Sequence, residues 1–451
     1  MALRKGEQIN VSFTRLSYKG YGIGSYDGRE VCVPGALPGE QAQIRVLRIP
    51  RHRIVGEVVQ RLASPFQRIP PRCSHFGLCG GCWWQDIAYA DQLRLKEGIV
   101  RRYLASLAEP SVFSPILPSP VYWNYRNKME FSFDRGKEGE FQLGLHLRGR
   151  FDQLFDLREC PLPSPLFTEI VQFIRALAQK HGLPVYNQRT REGLLRFLTI
   201  REGVHTGEIL VALTATRREE AFQDVADALA AQFPQIRSVL LLVNDGPAQV
   251  AFGSEEIVLW GEPTIHEILS VQGTSLTFAL SFRSFLQTNT LGAEQLYGIV
   301  MDLTHLSGTE RVLDIFCGIG TITGFLARRS GEVVGIELIE DAVADARMNM
   351  QANGITNVSF IAGPAKKVLR EIEGPFDIAV VDPPRAGVHP KALRRLMELA
   401  PPCLIYVSCN PKTLSDDLNL LREQYTIQRV QPVDLFPHTP HVETVVSMTS
   451  K

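Results

Sequence analysis

The stretch VLDIFCGIG, residues 312–320, decides the fold of the C-terminal part of this chain. A short apolar run that ends in a glycine turn predicts a buried strand leading into a helix. The next apolar run ends in Glu337, 23 positions after Asp314, and an acid at that place commonly binds a ribose. Thr323 stands where a third glycine would complete a dinucleotide turn, so a pyrophosphate site is not indicated.

From residue 311 onward, short Val- and Ile-rich runs alternate with helical segments. This alternation is typical of a doubly wound parallel sheet. The run 378–381 is followed by Asp382 within an Asp-Pro-Pro-Arg sequence. Ligands of open α/β sheets bind outside the carboxyl ends of the strands, so we expect Asp314, Glu337 and Asp382 to share one edge.

Two further residues of this region have side chains suited to catalysis. Cys409 follows the strand-like run 403–408 within Ser-Cys-Asn-Pro, and a thiolate there would act as a nucleophile. Glu443 opens the last strand pattern, within His-Val-Glu-Thr, and offers a carboxylate as general base. A buried inert cysteine and a surface acid are the plain alternatives. The place of Cys409 after two other motif-bearing strands favours catalysis.

The first 61 residues differ from the rest of the chain in charge and in pattern. They contain ten basic and five acidic residues, whereas the whole chain balances 48 Lys and Arg against 48 Asp and Glu. Glycine-broken runs, such as 9–16 and 54–62, and the hairpin signal Asp27-Gly28 predict a small OB-like β-barrel. A basic barrel on an acidic body is the charge pattern expected of a nucleic-acid-binding module, and a solvated surface with chance clustering of charge is the equally weighted alternative.

The length of 451 residues suggests about three domains. We expect a barrel over 1–62, a central α+β domain over 63–270 and a Rossmann-like domain over 271–451, hence a multidomain α/β fold. A helix at about 90–108 is expected to pack with the last domain. No apolar run approaches the about 20 residues that span a bilayer, and none near the N-terminus has signal-peptide length. We therefore expect a cytoplasmic monomer that does not bind membranes.

Four cysteines form a candidate metal site. Cys73 is followed by Cys79-Gly80-Gly81-Cys82, and Cys160 lies far downstream. Four thiolates suit an iron–sulfur cluster or tetrahedral zinc, and the spacing does not separate the two. The glycine pair would let the backbone approach a bulky cluster, which favours iron–sulfur. Disulfides are poorly supported in an intracellular chain.

Together these motifs resemble those of the RNA 5-methyluridine methyltransferase family, over nearly the whole chain. The first 60 residues look like the TRAM domain of that family, an RNA-binding β-barrel. The motifs occur here in the family's order, as Phe285–Asn289, Asp314–Gly320, Asp382–Arg385, Ser408–Pro411 and His441–Thr444.

The resemblance implies S-adenosylmethionine as the methyl donor, with a cluster of the [4Fe–4S] type and zinc as the alternative. Cys160, within Arg-Glu-Cys-Pro, would complete the ligand set of Cys73, Cys79 and Cys82. Pro364 stands where many members carry a polar residue near the adenine, and it has neither a side-chain donor nor a backbone N–H. The implied cofactor contacts are Gln287, Phe316, Thr321, Glu337 and Asp382.

The resemblance also implies methylation of carbon 5 of a uridine in RNA. Cys409 would add to carbon 6, and Glu443 would later remove the carbon 5 proton. The domain content favours 23S ribosomal RNA, with transfer RNA as the alternative. Cytosine is the rival base, and a non-catalytic iron–sulfur RNA-binding protein is the rival from another class. The target base is expected to leave its stack.

Overall fold

Alternating apolar residues build a closed barrel at the N-terminus. Along the first strand Ile9, Val11 and Phe13 point inward, and the residues between them are exposed. The strands close in the order β1-β2-β3-β5-β4, which leaves no open sheet edge. The predicted barrel is therefore confirmed. Its strands are β1 (Gln8–Leu16), β2 (Tyr21–Tyr26), β3 (Arg29–Pro34), β4 (Gln41–Arg48) and β5 (Arg53–Ala63).

The structure is a computed structural model that describes residues 3–51, 53–136 and 138–451. Its contacts divide the chain into two units. The first unit consists of the barrel segment up to Arg72 together with Gly81–Ser119 and Asp382–Lys451. The second consists of Cys73–Gly80 and Pro120–Val381. The domain boundaries at 62 and 270 stay a prediction.

Outside the barrel, the first unit combines helices with an antiparallel sheet. Strand β21 pairs antiparallel with both β19 and β20. Helix α1 packs on α9, where Ser415 Oγ donates to the carbonyl of Tyr103 at 2.9 Å. We call residues 434–442, between β20 and β21, the 434–442 loop. The elements are α1 (Tyr89–Leu104), a short 3₁₀ helix (Pro110–Val112), α8 (Pro390–Leu399), β19 (Cys403–Ser408), α9 (Pro411–Leu421), β20 (Tyr425–Val433) and β21 (Glu443–Ser450).

The second unit contains a seven-stranded mixed sheet in the order β12-β11-β10-β9-β6-β7-β8. Strands β9 and β10 are buried almost throughout. Helices α2 and α3 pack their apolar faces on one face of the sheet, and strand β13 (Thr264–Val271) contacts β10 and β11. The elements are β6 (Lys128–Arg135), β7 (Phe141–Leu147), β8 (Arg150–Asp156), α2 (Pro165–Lys180), β9 (Leu195–Glu202), β10 (Ile209–Ala215), α3 (Ala221–Gln232), β11 (Ile236–Val243) and β12 (Glu255–Gly261).

The same unit also contains the predicted strand–helix alternation. Four parallel strands lie in the order β17-β16-β15-β18. An antiparallel hairpin, β13–β14, precedes them. The elements are β13 (Thr264–Val271), β14 (Thr274–Ser281), α4 (Thr290–Thr304), β15 (Arg311–Ile315), α5 (Thr321–Ala327), β16 (Glu332–Glu337), α6 (Glu340–Ala352), β17 (Val358–Ala362), α7 (Ala365–Glu371) and β18 (Ile378–Val381).

Among the described residues, no helix combines the length and the apolar character needed to cross a bilayer.

A glycine fixes the contact between the barrel and the 434–442 loop. Gly20 has a positive φ of 79°, and a Cβ there would lie 2.3 Å from the Pro440 Cβ. We expect Gly20→Ala to lower the free energy of unfolding by about 2–4 kcal/mol, because left-handed strain and overpacking add. Chemical denaturation measures this change.

Gly28→Ala is the matched control for that variant. Gly28 also has a positive φ, 72°, but nothing lies within 4 Å of its virtual Cβ. Its substitution should therefore cost only the backbone strain, about 1 kcal/mol. Equal losses in the two variants would contradict a tight contact with Pro440.

Candidate active site

The loop after β15 has a strained backbone that is tied to the end of β16. Phe316 adopts a positive φ of 69°, which is uncommon for a residue with a Cβ. The amides of Phe316 and Cys317 donate to the Ile336 carbonyl at 2.8 and 3.1 Å. Gly318 and Gly320 have positive φ values as well, 55° and 82°. Such strain at a loop is commonly associated with a functional site.

Glu337 ends β16 and faces this loop. Its Oε2 accepts a hydrogen bond from the Gly318 amide at 3.1 Å. Its Oε1 accepts from the amides of Leu338 and Ile339 at 2.6 and 3.0 Å. The predicted acid therefore lies against the predicted glycine turn, with its carboxylate fixed by three backbone donors.

Asp314 lies below the loop and is only 1% exposed. Its Oδ2 accepts from Thr323 Oγ1 at 2.5 Å, whereas its Oδ1 has no hydrogen-bond partner among the described residues. Burial raises the pKa of Asp314 to about 7, and the charge of Glu337 adds to the effect. A buried acceptor without a donor is costly, so this atom fits a ligand that brings a donor.

Gln287 lies between β14 and α4 and is held through its backbone. Asn127 Nδ2 donates to the Gln287 carbonyl at 3.0 Å and also reaches Thr290 Oγ1. Thr321, at the start of α5, donates to the Tyr297 hydroxyl at 3.4 Å. Sequence reasoning missed Asn127, whose signal is only its place in the Arg-Asn-Lys run that enters β6.

Cys409 follows β19 directly, within the first unit. The neighbouring Asn410 caps α9 by accepting from the Lys412 amide at 3.1 Å, and its Nδ2 donates to the Arg385 carbonyl at 2.9 Å. Burial raises the pKa of the Cys409 thiol to about 12. The negative charges of Glu443 and Asp382 raise it further, while Arg385 lowers it.

Glu443 is the first residue of β21 and is 2% exposed. Burial raises its pKa to about 8, and the charge of Asp382 also raises it. The charges of Arg385 and Lys96 lower the pKa. The structure thus brings Cys409, Glu443 and Asp382 into one electrostatically coupled group. A carboxyl group whose pKa is near the working pH is suited to proton transfer.

Sequence reasoning missed Arg385 as a member of this group. It is the last residue of the Asp-Pro-Pro-Arg sequence, which was a usable signal. Its carbonyl accepts hydrogen bonds from Asn410 Nδ2 and Thr413 Oγ1. The backbone that carries this cation is therefore fixed by the start of α9.

The four candidate metal ligands are divided between the two units. Cys73, Cys79 and Cys160 belong to the second unit, and Cys82 belongs to the first. Burial raises the pKa of Cys160 to about 12, and the charges of Cys73 and Cys79 add to it. No disulfide joins any of the eight cysteines. Among the described residues, no group of three or more His, Cys, Asp or Glu is arranged to hold a metal.

The segments that carry the three cysteines of the second unit are nevertheless linked. The His75 Nε2 accepts from the Arg158 amide at 3.1 Å, and the Glu159 Oε1 accepts from the Ser74 amide at 2.8 Å. The donor chemistry fits a thiolate-bound cluster or zinc.

Two family models match the chain, and together they cover most of it. One, described as tRNA (Uracil-5-)-methyltransferase, matches residues 88–451. The other, the TRAM domain, matches residues 2–59. The predicted resemblance is therefore confirmed at both ends of the chain.

Individual proteins agree with the family models. A protein of Caldanaerobacter subterraneus, described as an uncharacterized RNA methyltransferase, is 37% identical and covers 98% of this chain and 99% of its own length. A Clostridium tetani protein with the same description is also 37% identical, and the match covers 100% of this chain and 99% of that protein. The crystal structure of Pyrococcus abyssi tRNA (uracil-54, C5)-methyltransferase in complex with S-adenosyl-L-homocysteine has a TM-score of 0.77 and 28% identity. It covers 98% of this chain and 100% of that chain.

Proposed function

The chain belongs to the tRNA (uracil-5-)-methyltransferase family and is an RNA (uracil-5-)-methyltransferase, and we propose that it methylates carbon 5 of one kind of uridine through a covalent cysteine adduct. The observation that carries this proposal is the coupled group of Cys409, Glu443, Asp382 and Arg385. It combines a nucleophile, a base and a cation in the unit that also contains the barrel.

The chemistry explains why a thiol and a carboxyl group are both needed. Carbon 5 of uracil is a weak nucleophile. A bond from the Cys409 sulfur to carbon 6 moves electron density to carbon 5, which would then take the methyl group of S-adenosylmethionine as its S–CH3 bond breaks and S-adenosylhomocysteine leaves. Glu443 removes the carbon 5 proton, and the electron pair of that C–H bond restores the ring double bond as the C–S bond breaks.

In the free protein both groups are mainly protonated at neutral pH, so each must lose a proton before it acts. The Cys409 thiol gives up its proton to solvent water before the sulfur attacks, and the positive charge of Arg385 favours the resulting thiolate. Glu443, with a pKa of about 8, accepts a proton more readily than an ordinary glutamate does.

S-adenosylmethionine, when bound, supplies an electrophilic methyl group. We assign its binding to Gln287, Phe316, Thr321, Glu337 and Asp382. The free Oδ1 of Asp314 and the anchored carboxylate of Glu337 support this assignment, since both can accept from cofactor N–H or O–H groups. Pro364, the residue before α7, offers no donor to an adenine.

Ribosomal RNA and transfer RNA are the two candidate substrate classes. A TRAM barrel with four cysteines favours 23S ribosomal RNA, and an enzyme of either class would act in the cytoplasm. Transfer RNA is favoured by one observation, the likeness over the full length to a tRNA (uracil-54, C5)-methyltransferase. We expect the barrel to bind the RNA chain and the protein to act as a monomer.

Mapping 5-methyluridine in ribosomal and transfer RNA, with and without the gene, tests the activity and names the substrate. We expect loss of the modification at one site or a small number of sites. Unchanged 5-methyluridine throughout both RNA classes would contradict the proposed function. Loss of 5-methylcytidine in place of 5-methyluridine would favour cytosine as the target base.

We propose a [4Fe–4S] cluster on Cys73, Cys79, Cys82 and Cys160, with zinc as the alternative. Protein purified without oxygen should be brown and should contain about four iron and four sulfide per chain. Cys160→Ser should lower the bound iron and the melting temperature, because ligands of a structural metal contribute to folding.

Cys403→Ser is the matched control for that variant, since Cys403 is partly buried but lies in β19. It should leave the metal content unchanged. Colourless protein with one zinc per chain would establish the alternative, and protein with neither metal would contradict both.

A further inference from the structure

The 434–442 loop is buried almost throughout, although it is a connection between two strands. Asp434 and His438 are 0% and 3% exposed. Connections usually run over the surface, because buried backbone groups need hydrogen-bond partners. This loop leads directly into Glu443, so whatever satisfies its polar groups also fixes the start of β21.

One face of helix α1 supplies those partners. Tyr89, Gln92 and Lys96 are three and four positions apart, so their side chains lie on the same side of the helix. The Lys96 Nζ donates to Asp434 Oδ1 at 2.5 Å and to the Phe436 carbonyl at 2.8 Å. The Tyr89 hydroxyl donates to Asp434 Oδ2 at 2.8 Å.

Gln92 continues the same contact further along the loop. Its Oε1 accepts from the His438 amide at 2.8 Å, and its Nε2 lies 3.2 Å from His438 Nδ1. The amides of Trp83 and Trp84 donate to the His438 carbonyl at 2.8 and 3.1 Å. The loop is therefore bound at both its first and its fifth residue.

Lys96 and Asp434 are both fully buried, and stability alone is a weak explanation for such a pair. Removing two charges from water costs several kcal/mol per ion, and well-packed apolar residues are often as stable. A buried pair does, however, define one geometry. Here it also places a cation within electrostatic reach of Glu443.

We propose that Lys96 and Asp434 are positioning residues, which hold the 434–442 loop and thereby keep Glu443 in place at the start of β21. This inference rests on the proposed role of Glu443 as the base. The charged and titratable groups that act on Glu443 are Asp382, Arg385 and Lys96, with Cys409 as the neighbouring thiol.

The direction of the effect follows from the charges. Lys96 lowers the pKa of Glu443, whereas Asp382 raises it. Without the Lys96 charge, the pKa of Glu443 rises and less of the base is ionised at neutral pH. The step that removes the carbon 5 proton slows, and its dependence on pH moves to more alkaline values. The bond between the Cys409 sulfur and carbon 6 forms before Glu443 removes the proton, so the rate of that step should not depend on the Lys96 charge.

The test uses the full chain with Lys96→Met and Asp434→Asn combined, so that neither charge is left buried alone. At pH 7 we expect elimination of the methylated RNA from Cys409 to be about three- to tenfold slower. The acid limb of the pH–rate profile for this step should move up by about half to one pH unit. Adduct formation with 5-fluorouridine RNA should be unchanged. A variant with a normal melting temperature and the wild-type pH profile would overturn the proposal.

Tyr89→Phe keeps the proposal testable if the double variant does not fold. It removes the hydrogen bond to Asp434 and the one that the Ser119 amide donates to the Tyr89 hydroxyl, and it retains both charges. We expect kcat to fall about two- to threefold, with KM for RNA and the acid limb unchanged. Unchanged kcat would count against a positioning role. If the wild-type protein itself forms no 5-methyluridine, the proposed function fails instead, so the two failures are distinct.

Discussion

Cys409→Ala should abolish methyl transfer, lowering the rate by a factor of about 10³ or more, because the proposed mechanism uses the Cys409 sulfur as its nucleophile. Without the bond from sulfur to carbon 6, carbon 5 of uracil does not become nucleophilic enough to take the methyl group. The measurement is tritium release from RNA labelled at carbon 5 of uridine, which reports loss of the carbon 5 proton directly.

Cys403→Ala is the matched control for this variant. Cys403 starts β19 and Cys409 follows its end, so both are partly buried cysteines of the same segment. Glu443 and Arg385 act electrostatically on the Cys409 thiol. We expect the control to retain activity within about twofold. Substantial tritium release by Cys409→Ala would exclude Cys409 as the nucleophile.

Glu443→Gln should stop the reaction after methylation instead of before it. The amide is isosteric and cannot take the carbon 5 proton, so elimination of the thiolate should slow by a factor of about 10²–10⁴. The methylated RNA then stays bonded to Cys409. A protein–RNA complex that survives denaturing electrophoresis with ordinary uridine RNA is the expected result.

The pH dependence of release gives the same step a second test. Because the pKa of Glu443 is about 8, only about a tenth of the base is ionised at pH 7. The rate at which the wild-type protein releases methylated RNA should therefore rise with pH up to about 8 and then level off.

Asp416→Asn is the control for Glu443→Gln, because Asp416 is an exposed acid that pairs with Lys412. Rapid release by Glu443→Gln would show that another group is the base.

The parts of the fold that depend on local pattern could be predicted from the sequence. The hairpin signal Asp27-Gly28 joins β2 and β3, and both residues have positive φ as such turns require. The stretch 312–320 forms the predicted strand and turn, and Glu337 reaches the turn. These features involve residues that are close in the chain or fixed by sheet geometry.

The orientation of the last strands was not accessible from pattern. Runs of Val and Ile indicate a buried strand in either direction. The structure pairs β21 antiparallel with both neighbours. The nine residues of the 434–442 loop are too few for the crossover that parallel neighbours need. The length of this connection, and not the apolar pattern, therefore indicates the antiparallel orientation of β20 and β21.

The supporting residues of the candidate site could not be predicted, because their partners are distant in the chain. Lys96 and Asp434 are 338 positions apart, and in the sequence Lys96 is one more charge on an amphipathic helix. Asn127 reaches Gln287 across 160 positions. Buried polar pairs follow from the tertiary fold, whereas periodicity predicts which residues are apolar.

The reaction of the protein with RNA that contains 5-fluorouridine at the target site tests the central claim most directly. Fluorine cannot leave carbon 5 as a proton does, so the covalent intermediate should persist. Mass spectrometry should find protein and RNA joined with one added methyl group, at a peptide that contains Cys409. Absence of a complex with RNA that the protein otherwise methylates, or attachment at another residue, would contradict the account.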